Sequence, residues 1–230
     1  DRSDLVGELN RQLKIDSRRT AVITVDMHRG HLDPEVATLG AEKADCERVI
    51  SNSEKLLAFA RSKGMPVVHV VATIRRIRDR ESDSERSVCP FAMASGRAKA
   101  GLLPGRPSDR IHHNLEGSVG TQVIPSLLSE KDYVVRSKKR LSCFYGTDLE
   151  ILLRALEVDT LVIIGINTNT CVLNTTFDTF NRDMKAIVIS DCVASMYGDD
   201  LHVFGLENIK RCLGWVLTLD EFKKKVERGV

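Results

Sequence analysis

Three residue types that can work together chemically stand at comparable points of this 230-residue chain: a carboxylate at Asp26, an ammonium at Lys138 or its neighbour Lys139, and a thiol at Cys171. Each follows a short apolar run. Asp26 ends the run TAVITV. Ser137, Lys138, Lys139 and Arg140 come just after residues 133–135. Cys171 closes G-I-N-T-N-T-C, which follows residues 160–164. Such β-branched apolar runs suit strands buried on both faces. Open parallel sheets bind their ligands beyond the carboxyl ends of the strands. An acid, a cation and a sulfur meeting there are the parts of a covalent hydrolase. The thiolate attacks a carbonyl, the acid carries a proton from sulfur to the leaving group, and the cation steadies developing charge. The spacing also predicts a helix over 171–180 with Cys171 at its start. There the free N–H groups and partial positive charge lower a thiol pKa and can hold an oxyanion.

Each residue also has a plain alternative. A cysteine at a helix start is often inert packing, and an aspartate after a strand is often a cap. Lysines beside Arg136 and Arg140 read as a solvated face. Joint placement at three strand ends favours the chemical reading.

The elements that must position these groups alternate strand and helix. Strands are predicted at 20–25, 67–71, 133–135, 160–164, 186–189 and 215–217. Helical spacing covers 42–63, the stretch opened by Thr147, and 199–212. Alternation of this kind implies a parallel sheet with helices on both faces, whose strand order the pattern leaves open. Residues 74–118 break the rhythm with a charged stretch and several prolines. They are expected to be an insertion over the active-site side of a single domain spanning 1–230, with 1–17 as an N-terminal arm.

Composition narrows the function classes. A net charge of +2 gives no reason to expect a nucleic-acid partner. No apolar run approaches the ~20 residues of a membrane span, and the polar N-terminus lacks a secretory signal's apolar centre, so a cytoplasmic location is expected. The six cysteines are scattered without C-x-x-C, which argues against structural zinc. Five of them read as buried small hydrophobes. His28 and His31 lie near Asp26 but have no third partner nearby in sequence, so neither a metal nor any cofactor is expected. No G-x-G-x-x-G follows a strand, which speaks against a dinucleotide site.

V-D-M around Asp26, K-K-R-L-S-C-F-Y-G-T from Lys138, G-I-N-T-N-T-C-V around Cys171 and L-E-G-S-V-G-T from Leu115 together resemble the isochorismatase-like cysteine hydrolases. That group includes nicotinamidases and N-carbamoylsarcosine and ureidoacrylate amidohydrolases. The resemblance spans about residues 18–217. It implies an α/β, three-layer Rossmann-like fold with a six-stranded parallel sheet flanked by helices. It implies an Asp26–Lys138–Cys171 triad, the lysine chosen by counting back from Ser142 and Phe144 in S-x-F, with Lys139 as fallback. It implies a cis peptide at Ile166–Asn167 and an oxyanion hole from the N–H groups of Asn167 and Cys171.

The function implied is an amidohydrolase cleaving a C–N bond of a small amide, carbamoyl or ureido compound through a thioester, in a homodimer or homotetramer. The alternatives are a vinyl-ether hydrolase, which lacks the cysteine, and a non-catalytic scaffold. Arg75, Arg76 and Arg78 are candidates to hold a substrate carboxylate, and Phe144 is a candidate to line the pocket. The chain departs from the family pattern at Asn167, where a small residue is usual, and at Leu141, where an aromatic is usual. The stretch after the second strand has no histidine, which argues against nicotinamidase-like metal binding.

Overall fold

The computed structural model describes residues 2–37, 40–75, 91 and 113–228. Strands β1 (Thr20–Val25), β2 (Val67–Val70), β3 (Tyr133–Val135), β4 (Thr160–Ile166), β5 (Lys185–Ala194) and β6 (Trp215–Leu217) form one sheet. All pairings are parallel, in the order β3-β2-β1-β4-β5-β6. The helices among the described residues are α1 (Ser3–Gln12), α2 (Arg29–Leu32), α3 (Lys43–Ser62), α4 (Leu149–Ala155), α5 (Leu173–Phe180), α6 (Asp199–Asn208) and α7 (Leu219–Glu227). The α/β architecture and its six-stranded parallel sheet agree with the sequence reading.

Every residue of β1 and β4 is buried, which is why both read as unbroken apolar runs. Alternate residues feed two cores. Val22 and Ile164 join Val49, Leu56 and Ala60 of α3 and Phe222 of α7 on one face. Ala21, Ile23, Val25 and Ile163 join Leu149 and Leu153 of α4 on the other. Thr218 and Glu221 form a capping box that starts α7 and seats Phe222, whose full burial contributes about 2–3 kcal/mol.

The strand order creates the site. From β1 the chain moves outward to β2 and β3, then returns to lay β4 against the other side of β1. The crevice where the direction reverses lies between the ends of β1 and β4. Here the two strands approach closely. Gly165 has φ +122°, and a Cβ there would collide with the Val25 carbonyl, so only glycine fits.

Several elements differ from expectation. The N-terminal arm carries α1, tied to the body by Trp215 Nε1 donating to the Leu9 carbonyl at 2.9 Å. α7 follows β6, beyond the last predicted element. β5 runs to Ala194 because its later residues continue pairing past a register shift in β4. Of the insertion, Ile74, Arg75, Phe91 and 113–118 are described, and Ile74 bridges to Leu115. Of the five cysteines read as buried, Cys46, Cys143 and Cys192 are, Cys212 is exposed, and Cys89 lies outside the described residues.

Candidate active site

Asp26 follows β1 directly, with φ +53°. Its backbone N–H still bonds the Val70 carbonyl at 2.9 Å. Its two side-chain oxygens have different partners. Oδ1 accepts from the Ala72 N–H at 2.7 Å, and Oδ2 accepts from Lys138 Nζ at 2.6 Å. Ala72 carried no sequence signal, because a backbone donor has none.

Lys138 follows β3, two strands away from β1. It reaches the crevice because the Thr73 N–H bonds the Lys138 carbonyl at 2.9 Å, holding the segment over the end of β2. The Lys138 side chain is 1% exposed. Lys139, the fallback, is instead occupied by Thr73 and Glu116. Burial alone would pull the Lys138 ammonium down. Attraction to Asp26, then to the sulfurs of Cys171 and Cys143, outweighs it and lifts the group above an ordinary lysine.

Cys171 sits in a wide π-type turn, Thr168–Val172, that runs into α5. The N–H groups of Thr170 and Val172 both bond the Asn167 carbonyl at 3.1 Å and curl this loop. The Ile166–Asn167 peptide is cis, as the resemblance implied. Asn167 Oδ1 accepts from the Met196 N–H at 2.9 Å, so the residue that departs from the family pattern ties the loop to the end of β5. Thr168 Oγ1 meets His202 Nδ1 at 2.8 Å, and Gly205 lets α6 press on Thr168 and Asn169.

Lys138 Nζ lies 3.5 Å from Cys171 Sγ, so one buried ammonium touches both the carboxylate and the sulfur. The expectation of a lowered thiol pKa does not hold. The helical run begins three residues before Cys171, and burial pushes the thiol up to about 12; Lys138 pulls against this and Asp26 adds to it. The sulfur raised by burial thus lies between an ammonium and a carboxylate that act on it in opposite directions.

A match to the family described as "Isochorismatase domain" covers residues 20–221. The chain belongs to the isochorismatase family. Over 218 residues, 92% of this chain and 84% of the relative, it is 34% identical to the ureidoacrylate amidohydrolase RutB of Methylorubrum extorquens. A cysteine hydrolase structure from Pseudomonas syringae superposes with TM-score 0.76 at 25% identity, covering 94% of this chain and 96% of that one. N-carbamoylsarcosine amidase from Thermoplasma acidophilum gives TM-score 0.65 at 26% identity, covering 88% and 97%. The protein is thus a hydrolase of this family. Among the described residues no helix is long and apolar enough to cross a membrane.

The other predicted residues are placed differently. Arg75 is 75% exposed and pairs with Glu116 at 3.6 Å. Arg76 and Arg78 lie outside the described residues. Phe144 is buried, with the Arg182 guanidinium 4.3 Å over its ring, a packing contact. The sequence reading missed Thr175. Its Oγ1 donates to the Cys171 carbonyl at 2.7 Å and accepts from the Cys143 N–H at 3.1 Å, joining the Cys171 loop to the segment after Lys138. It also missed His113 as a neighbour of His28 and His31, because the residues between lie far apart in sequence.

Proposed function

We propose that this hydrolase is an amidohydrolase cleaving the C–N bond of a small amide, carbamoyl or ureido compound through a Cys171 thioester, with release of ammonia or an amine. The observation that carries this reading is Lys138 Nζ, buried between Asp26 Oδ2 and Cys171 Sγ. In the reaction, Asp26 takes the thiol proton as sulfur attacks the carbonyl carbon. The N–H groups of Asn167 and Cys171 receive the oxyanion. Asp26 passes the proton to the departing nitrogen, then deprotonates the water that releases the acyl group. Lys138 favours the thiolate as it forms. Because the resting sulfur is a thiol, its activation is coupled to arrival of the carbonyl.

A vinyl-ether hydrolase or a non-catalytic scaffold would have no use for a thiol sharing a buried lysine with a carboxylate. Two of the relatives are named for ureido and carbamoyl substrates, which supports the substrate class. A homodimer or homotetramer is the assembly proposed, supported by the partly exposed Phe177, Phe180 and Phe204. The free cysteines among the described residues support a cytoplasmic site of action.

The test is an ammonia-release screen over ureas, carbamoyl amino acids, ureido acids and simple carboxamides, with Cys171→Ala as control. Release from one class, abolished in the variant, supports the reading. Release that survives Cys171→Ala sinks the covalent scheme.

A further inference from the structure

The segment that follows Lys138 and the helix that follows Cys171 meet along a line of side chains that the proposed chemistry does not use. Residues 142–144 of the segment each rest on α5 or on the turn after it. Ser142 Oγ donates to Asp178 Oδ2, the Cys143 N–H donates to Thr175 Oγ1 at 3.1 Å, and the Arg182 guanidinium lies over the Phe144 ring, 4.3 Å from its centre. Asp178 follows Thr175 by three residues and Arg182 follows Asp178 by four, while Cys171 stands four before Thr175. At that spacing all four fall on one side of the helical run. The stripe that grips the segment is thus the one that bears the sulfur.

Thr175 is the member of the stripe that touches both sides. Helical threonines can bond the carbonyl four residues back, and Thr176 and Thr179 do so here at 2.9 and 2.7 Å. Thr175 does the same to the Cys171 carbonyl at 2.7 Å, but its oxygen also accepts from the N–H of the buried Cys143. One buried hydroxyl therefore links the Cys143 amide to the Cys171 backbone. Its direction is fixed, since an amide N–H only donates and a carbonyl only accepts. The other end of the segment is held by the Thr73 N–H on the Lys138 carbonyl, a bond that refers to the end of β2 and not to the sulfur. The 3.5 Å approach of Lys138 Nζ to Cys171 Sγ spans two pieces of chain, and Thr175 ties their backbones together.

We propose that Thr175 is a positioning residue: by bridging the backbones of Cys143 and Cys171 it sets the spacing between the Lys138 ammonium and the Cys171 sulfur. Its use in catalysis rests on the proposed amidohydrolase reading, but it is tested apart from turnover. Iodoacetamide at pH 8 is applied to the full chain, and modification of Cys171 is followed by peptide mass spectrometry. The rate reads how readily this sulfur becomes a thiolate. Thr175→Val keeps the shape and removes the hydroxyl. With the bridge gone the ammonium moves off the sulfur, and alkylation should slow by at least about fivefold. Thr175→Ser keeps the hydroxyl and should stay within about twofold of the parent. Thr179→Val loses the same kind of helical bond at an equally buried position that makes no hydrogen bond to the Lys138 segment. It should lower the melting temperature yet also stay within about twofold. Ser142→Ala releases the neighbouring grip on Asp178. It should slow alkylation about threefold, and it serves if Thr175→Val does not fold, as judged by thermal melting.

Equal slowing in Thr175→Val and Thr179→Val would mean that helix packing is felt and not the bridge, and it overturns the proposal. Alkylation at the parental rate or faster in folded Thr175→Val, or in Ser142→Ala where that variant stands in, overturns it as well. So does a Thr175→Ser variant as slow as Thr175→Val. Slowing confined to Thr175→Val and Ser142→Ala, in a protein that releases no ammonia from any compound of the screen, would instead leave the role of Thr175 standing and remove the amidohydrolase reading.

Discussion

Two buried polar assemblies flank the β1–β2 pair, and they differ in how they end. In the first, Thr24 Oγ1 meets His69 Nδ1 at 2.8 Å, His69 Nε2 meets Asp132 Oδ2 at 3.1 Å, and Asp132 is closed off by Arg61 and the Ser129 N–H. Both His69 nitrogens and both Asp132 oxygens are engaged, and the chain ties β1, β2 and α3 to the segment before β3. In the second, Asp26 has Ala72 on one oxygen and Lys138 on the other, and Lys138 leads on to a thiol that keeps its proton. The first ends in satisfied groups and so can only hold the fold. The second ends in an S–H group, which has a proton to give and a lone pair to offer a carbon. The same residue chemistry serves structure or reaction according to whether its last member is already satisfied.

The largest expected effect separates the two assemblies outright. Cys171→Ala should lower turnover by at least about 10⁴-fold, the scale on which a nucleophile's loss is felt, while its urea midpoint stays close to the parent's. A variant that is stable and still active would erase the distinction.

Asp132→Ala should do the converse. The Asp132 side chain is 2% exposed, and its removal leaves Arg61 and His69 without their anion. A loss of about 3–5 kcal/mol is expected from equilibrium denaturation, with activity per folded molecule preserved. A loss of activity without a loss of stability would assign Asp132 to the reaction instead.

The resting proton on sulfur sharpens the comparison. With the thiol pushed up to about 12, inactivation by iodoacetamide without substrate should rise about tenfold per pH unit from pH 6 to 10, with no plateau. A plateau near pH 7 would mean a thiolate at rest and would remove the coupled activation.

The smallest effect concerns acid stability. Burial depresses the pKa of His69 below its ordinary 6.5, although Asp132 opposes this, and depresses that of His28 further. The unfolded chain takes these protons near pH 6.5, and the folded one only at lower pH. The stability each contributes is therefore complete above pH 6.5 and is lost as pH falls through the folded values, by at most about 1.4 kcal/mol per pH unit per histidine. Urea midpoints at pH 7.5 and 5.5 read this loss, and His69→Gln should make the difference smaller.

The sheet was legible because its strands are buried on both faces: TAVITV and TLVII need no partner to be read as strands. Asp26 and Cys171 were legible because they stand where such runs stop. α1 and α7 were not, since they stand before the first strand and after the last one, outside the strand–helix alternation that organised the reading. The choice of Lys138 over Lys139 depended on family resemblance, for adjacent lysines after a short strand are equivalent until the Thr73–Lys138 bond fixes which one turns inward. The protonation of Cys171 was misread, because the start of a helical run and the depth of a sulfur are settled by neighbours.

By itself, then, the sequence determined the layered α/β architecture and the kinds of group at the strand ends, because local pattern and residue chemistry are carried by the chain in order. The strand order that puts β4 against β1, the reach of Lys138 across two strands, the proton on Cys171 and the meeting of His113 with His28 and His31 were decided only by the tertiary structure. Each depends on distance and burial between residues far apart along the chain, and those quantities exist only once the chain has closed on itself.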